Sequence, residues 1–203
     1  PVKYLDANII ATARVLEAAR KASVKKFVYS ASSSCYGIAK SPTSENEAIN
    51  PLYPYAMSKY MGEKLCLHWH KLYNLPVNSI RIFNAYGPRV KTTGAYGAVF
   101  GVFFKQKLEN KAFTVVGKGD QKRDFVYVSD VVDAFFKCSQ SKFSGEIFNL
   151  GTGEPKSINY LVKILGGKKT YLPKRPGEPD ITFANISKIK KELKWKPKIS
   201  IED

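Results

Sequence analysis

Segments with a helical apolar period alternate with short, almost unbroken apolar runs along this chain. Residues 4–22 repeat apolar positions at Ile9, Ala13, Leu16 and Ala19, the spacing of one helix face. Residues 26–30 then form a short strand, Lys-Phe-Val-Tyr-Ser. A strand with so little polar alternation is covered on both faces, which is the environment of a parallel sheet. A second helix is expected from Tyr55 to about Tyr73, launched behind Pro54, with Met57, Tyr60, Met61, Leu65 and Leu72 as its apolar set. Further strands are expected over 77–83, 113–116, 124–128 and 146–150, and further helices over 97–109 and 131–140. Ser129 and Asp130 are expected to cap the last of these helices. From about residue 167 the chain reads as a Pro-, Gly- and Lys-rich tail, with a short helix over 187–194.

This alternation predicts an α/β fold with right-handed crossovers. Ligands of such sheets sit beyond the carboxyl ends of the strands. Two strand ends carry chemistry: Ser32-Ser33-Ser34 after the first, and Asn84 after the second. The loop over 38–54 holds Pro42, Pro51 and Pro54 among polar residues.

The 203 residues are 44% hydrophobic and include 12 Tyr and 12 Phe, which suits one sizeable core and excludes a disordered chain. No apolar run approaches the roughly 20 residues of a membrane helix. No secretory leader is legible. Cys35, Cys66 and Cys138 are far apart and form no metal-binding or disulfide spacing. A cytoplasmic protein without a metal is therefore expected. The formal charge of +16 raises the question of a nucleic-acid partner. The excess is scattered and comes from 27 Lys against 6 Arg, so a Lys-biased solvated surface is expected, not specific nucleic-acid binding.

Tyr55 and Lys59 stand one helical turn apart. A cation beside a phenol lowers its pKa and makes it a usable acid or base. The pattern is common in a chain rich in both residues, and Tyr36/Lys40 and Tyr60/Lys64 repeat it. Tyr36/Lys40 lies in a loop, and Tyr60 points about 140° away from Tyr55 on the same helix. Tyr55/Lys59 is the best placed to meet Ser32. On spacing alone it is either a catalytic pair or a surface contact.

Six motifs in order carry a family resemblance. They are residues 27–37, Phe-Val-Tyr-Ser-Ala-Ser-Ser-Ser-Cys-Tyr-Gly, then 54–59, Pro-Tyr-Ala-Met-Ser-Lys, and 81–89, Arg-Ile-Phe-Asn-Ala-Tyr-Gly-Pro-Arg. Residues 123–130, Arg-Asp-Phe-Val-Tyr-Val-Ser-Asp, 148–153, Phe-Asn-Leu-Gly-Thr-Gly, and 175–180, Arg-Pro-Gly-Glu-Pro-Asp, complete the set. The chain resembles the extended short-chain dehydrogenase/reductases, in particular the NAD-dependent nucleotide-sugar epimerases and dehydratases. The resemblance implies a Rossmann-like parallel sheet with a small C-terminal substrate-binding region. Members of that family open on a glycine-rich strand–turn–helix that cradles the NAD pyrophosphate. No such motif occurs here, so the N-terminal strands are expected to lie outside this sequence, as is a closing C-terminal helix. The NAD-binding part is expected over 1–89 and 120–150, and the nucleotide-sugar-binding part over 90–119 and 151–203.

By the same resemblance Tyr55 is the acid/base on the sugar 4-hydroxyl. Lys59 holds the nicotinamide ribose, and Ser32 bonds the oxygen at C4. Asn8 and Phe83, with Tyr55 and Lys59, fall on the cofactor side. Asn84, Arg123, Arg175 and Glu178 contact the nucleotide and its diphosphate. Family dehydratases carry Asp-Glu just after the Ser/Thr position, where this chain has Ser33-Ser34. Hydroxyls cannot replace that carboxylate pair, so the resemblance implies 4-epimerisation through a 4-keto sugar, with NAD recycled. Ser33 and Ser34 are expected to satisfy turn backbone. Thr182 aligns with a position limiting sugar size, which leaves UDP-hexose and UDP-N-acetylhexosamine as candidate substrates. Another enzyme of the family (4,6-dehydratase, decarboxylase or 4-reductase) and a non-catalytic binding module are the alternatives. A homodimer through residues 4–22 and 55–73 is also implied.

Overall fold

The computed structural model describes residues 1–92, 99–174 and 177–203. The chain opens on α1 (Val2–Leu5), which runs through a π-helical turn over Asp6–Ile10 into α2 (Ala11–Lys21). A central sheet is built from β1 (Phe27–Ser32), β2 (Val77–Ile82) and β7 (Ile147–Leu150), all parallel in the order β1-β2-β7. Phe27 pairs with Val77, Ser32 with Ile82, and Ile82 with Leu150, so the three strands end together.

Successive strand residues point to opposite faces. Tyr29 and Ala31 of β1 join Leu16, Cys66 and Val77 in one core, under α2 and α3 (Pro54–Tyr73). Val28 and Ile80 face a second core, where α5 (Val128–Gln140) and α7 (Ser187–Leu193) supply Ala134, Cys138, Ile189 and Leu193. Both faces are covered, as the unbroken apolar strands predict.

The other elements follow the carboxyl ends of β2 and β7 in the chain. They are β3 (Asn84–Tyr86), α4 (Val99–Leu108), β4 (Phe113–Val116), β5 (Lys122–Arg123) and β6 (Phe125–Tyr127). After β7 come β8 (Lys156–Ser157), α6 (Ile158–Leu165), β9 (Lys169–Leu172) and β10 (Ile181–Thr182). A third core of Phe100, Phe103, Phe113, Val115 and Leu161 holds α4, β4 and α6 together. Among the described residues, no helix is long and apolar enough to cross a membrane.

Three expectations need correction. The tail is not bare of strands: β9 pairs with β4, and β10 with β5, which local composition does not signal. Ser129 and Asp130 do not cap α5, which starts at Val128 behind Tyr127. Asp130 is buried, and its carboxylate accepts the backbone N–H groups of Lys198 and Ile199. The apolar set expected for α3 is also misplaced. Met57, Met61 and Leu72 are exposed, and the buried face is Ala56, Ser58, Gly62, Glu63 and Cys66.

Candidate active site

β1 ends in Ser32, whose extended backbone (φ −141°, ψ 139°) starts a 3-10 turn over Ser33–Tyr36. The Ser32 Oγ accepts the Ser34 N–H at 3.2 Å, and the Ser32 and Ser34 hydroxyls lie 2.8 Å apart. The turn closes on Gly37 at φ +64°, where a Cβ would strike the Asn50 carbonyl. Only glycine fits that bend.

Helix α3 delivers Tyr55 and Lys59 to the same end of β1. Pro54 stands in its first turn, where a missing N–H costs nothing. The Lys59 Nζ donates to the Ser30 carbonyl at 2.9 Å and sits 5.5 Å from the centre of the Tyr29 ring. Tyr55 packs edge-on against Tyr4 at 5.5 Å. Burial pushes the Tyr55 phenol above its ordinary pKa; the Ser32 hydroxyl pulls it back, and Tyr4 adds to the rise. Burial pulls the Lys59 ammonium below its ordinary pKa.

The direction for Tyr55 differs from the one its spacing from Lys59 predicts. The Lys59 ammonium is drawn to the Ser30 carbonyl and the Tyr29 ring, and desolvation governs the phenol. Of the rival pairs, Lys64 lies over the Tyr60 ring at 5.8 Å, a cation–π contact.

Asn8 sits in the π-helical turn and donates from Nδ2 to the Ser58 Oγ at 2.9 Å. Ser58 in turn donates to the Tyr55 carbonyl at 2.9 Å. This link is invisible in the sequence, since Ser58 lies inside the Tyr-Ala-Met-Ser-Lys run. Phe83 packs half-buried against the α5 core, and its N–H bonds the Leu150 carbonyl at 2.9 Å. Asn84 follows with an exposed side chain, its N–H bonded to the Asp124 carbonyl at 3.0 Å.

A second group gathers on the small β10-β5-β8 sheet. The Arg123 Nη2 lies 2.8 Å from the Glu178 Oε1, and Thr182 is the register partner of Arg123. Burial pulls the Arg123 guanidinium down, against the opposing pull of Glu178. Arg175 lies outside the described residues. Asp124 anchors the turn beside this sheet: its carboxylate accepts from Thr152 N, Gly153 N and Ala184 N.

The residues around β1 fit the ribose half of a dinucleotide. Lys59 has three N–H donors. Among the described residues, Ser30 takes one, which leaves two for a vicinal diol. The Ser32 hydroxyl, a partner of the Tyr55 phenol, stands at the carboxyl end of the same strand, where this sheet class holds ligands.

Comparison with known proteins agrees with this architecture. Residues 1–151 match the sequence model of the NAD dependent epimerase/dehydratase family. An uncharacterised UDP-glucose epimerase of Bacillus subtilis is 37% identical over 98% of this chain and 64% of its own length. The UDP-N-acetylglucosamine 4-epimerase of Methanobrevibacter ruminantium, solved with UDP-N-acetylmuramic acid, superposes with a TM-score of 0.92. It is 30% identical and covers 100% of this chain and 66% of its own. The UDP-glucuronic acid 4-epimerase of Bacillus cereus, solved with UDP-glucuronic acid and NAD, gives a TM-score of 0.88 at 35% identity, over 97% of this chain and 64% of its own. The chain thus spans slightly under two thirds of the length of these relatives.

Proposed function

The chain belongs to the NAD dependent epimerase/dehydratase family, and on that premise we propose that the protein interconverts UDP-linked hexoses by 4-epimerisation. The observation that carries this reading is the meeting of Ser32, Tyr55 and Lys59 at the end of β1, with hydroxyls at the next two positions. NAD, when bound, supplies reversible storage of the C4 hydride. Tyr55 accepts the 4-hydroxyl proton as C4 is oxidised and returns it when C4 is reduced on the other face. Ser32 bonds the C4 oxygen in both directions. Lys59 holds the ribose hydroxyls with its two remaining donors. Asn8 acts on this side by fixing the first turn of α3 through Ser58, and Phe83 walls the cofactor side.

Asn84 is assigned to the diphosphate, Arg123 and Arg175 to the nucleotide and its diphosphate, and Glu178 to the nucleotide ribose. The Arg123–Glu178 pair supports this, since a guanidinium held by one carboxylate keeps further N–H donors for phosphate. Thr182, the register partner of Arg123, is small, and a small residue at the position that limits sugar size would admit an N-acetyl group, so UDP-N-acetylhexosamine stands with UDP-hexose as substrate. Ser33 and Ser34 place no carboxylate at the position where a 4,6-dehydratase needs one.

The exposed Leu5, Ile10 and Val15 on the N-terminal helix, with Met57 and Met61 on α3, support a homodimer through these helices. Three buried, unpaired cysteines support a reducing, cytoplasmic setting.

The test incubates the full-length protein with NAD and UDP-glucose, UDP-N-acetylglucosamine or UDP-glucuronate. Products are read by proton NMR. A C4-inverted sugar is expected. A 4-keto-6-deoxy sugar, or a pentose formed by loss of carboxylate, would overturn the assignment. If acetylated sugars turn over and Thr182→Tyr abolishes only that activity, the size argument stands.

A further inference from the structure

The Ser34 side chain departs from its expected part in the turn. Ser32 is the residue that caps the 3-10 turn, and the Ser34 hydroxyl pairs with the Ser32 Oγ at 2.8 Å. A hydroxyl has one proton and two lone pairs. One Ser32 lone pair already takes the Ser34 N–H at 3.2 Å. The direction of the hydroxyl pair then decides what Ser32 offers the site. If Ser34 donates, both Ser32 lone pairs are filled, and the Ser32 proton must point outward. If Ser32 donates, it offers the site only a lone pair.

We propose that Ser34 is a positioning residue for the acid–base step: its hydroxyl donates to the Ser32 Oγ and so commits the Ser32 proton to the Tyr55 oxygen or the sugar C4 oxygen. The inference rests on the reading of Tyr55 as the acid/base. No bond to carbon changes and no proton is lost. The Ser34 proton stays on Ser34, and the Ser32 proton stays on Ser32, each hydrogen-bonded one oxygen further along. The arrangement favours the phenolate when Tyr55 is to act as base, and a chain of such bonds is stronger than its separate links. When Tyr55 carries the proton, both hydroxyls rotate and Ser32 becomes the acceptor. The burial that raises the phenol makes this donor matter.

The test uses the full-length protein carrying tyrosine labelled with carbon-13 at Cζ. The signal lost in Tyr55→Phe identifies the Tyr55 resonance, and its pH titration needs no turnover. Ser34→Ala is expected to raise the Tyr55 midpoint by about half a pH unit. It is also expected to lower kcat about 3- to 10-fold with KM unchanged, since the lost interaction acts in the reaction and not in binding. Ser34→Thr keeps the hydroxyl and is expected to titrate as the parent does. An unchanged midpoint in Ser34→Ala overturns the proposal. A loss carried by KM alone overturns it too, making Ser34 a sugar contact. Full activity in Tyr55→Phe would instead overturn the assignment of Tyr55 itself.

Discussion

The Arg81 Nη2 lies 2.5 Å from the Glu63 Oε1, and both side chains are almost wholly buried. A second bond joins the Arg81 Nε to the Glu63 Oε2 at 3.0 Å, which makes the pair bidentate. Glu63 also accepts from Ser79, and Arg81 also donates to Tyr36, which donates onward to Asn149. Glu63 is one helical turn beyond Lys59, and Tyr36 closes the turn that Ser32 opens. The pair therefore ties the helix bearing Tyr55 to the strand end bearing Ser32.

Removing one partner leaves an uncompensated buried charge, at about 3–5 kcal/mol. Arg81→Met is expected to lose that much in urea unfolding. Arg81→Met with Glu63→Met is expected to recover much of it, because an apolar pair needs no partner. A loss below about 1 kcal/mol in the single variant would contradict the account.

Gly62 sits where α3 meets the N-terminal helix. A Cβ there would run into the Tyr29 hydroxyl and the Asn8 carbonyl. Alanine is normally the better helix former by about 1 kcal/mol. Gly62→Ala is nevertheless expected to destabilise, by about 1–3 kcal/mol, since overpacking outweighs propensity. Thermal unfolding decides; a stabilised variant would show that the two helices are not in such close contact.

Cys35 and Cys66 are buried, and burial pushes each thiol up to about 12. In the unfolded chain such thiols ionise near pH 8.5. The folded pKa is the higher, so this stabilising contribution is complete below pH 8.5 and is lost as pH rises towards about 12. Each thiol contributes a slope of about 1.4 kcal/mol per pH unit in that window. Urea midpoints measured from pH 7 to 10 are expected to fall beyond pH 8.5, and less steeply in Cys35→Ala and Cys66→Ala. An equal slope in the variants would assign the effect elsewhere.

Much of this architecture is legible in the sequence, and the misses share one cause. β1 can be read from its Phe-Val-Tyr run, and β2 from Val77, Ile80 and Ile82 despite the buried Asn78, Ser79 and Arg81 between them. Tyr55 and Lys59 stand out among three pairs of that spacing because theirs alone sits in the ordered set of motifs at the start of a helix. The buried face of α3 cannot, because Glu63 is made acceptable there by Arg81, 18 residues away. An acid inside a helix carries no local mark of burial. β9 and β10 are invisible for a similar reason: their ladders depend on β4 and β5, far along the chain. Asp130 looks like a cap and instead accepts two N–H groups from residues near the C-terminus. At the site, the order of motifs points to Ser32, Tyr55 and Lys59, but the Ser32–Ser34 pair and the Asn8–Ser58 link depend on rotamers.

The exposed apolar residues on α3 make a further prediction. Met61→Glu places a charge in the proposed helix–helix interface and is expected to yield monomers by light scattering at micromolar concentration. A parent protein that is already monomeric would contradict the dimer.

The central claim is that hydride leaves C4 and returns to it. The most direct measurement follows a UDP-hexose deuterated at C4 through turnover by the full-length protein in ordinary water with NAD. The account predicts a C4-inverted product that keeps its deuterium, with no net reduced cofactor at 340 nm. Loss of the deuterium to solvent, or steady accumulation of reduced cofactor, would contradict it.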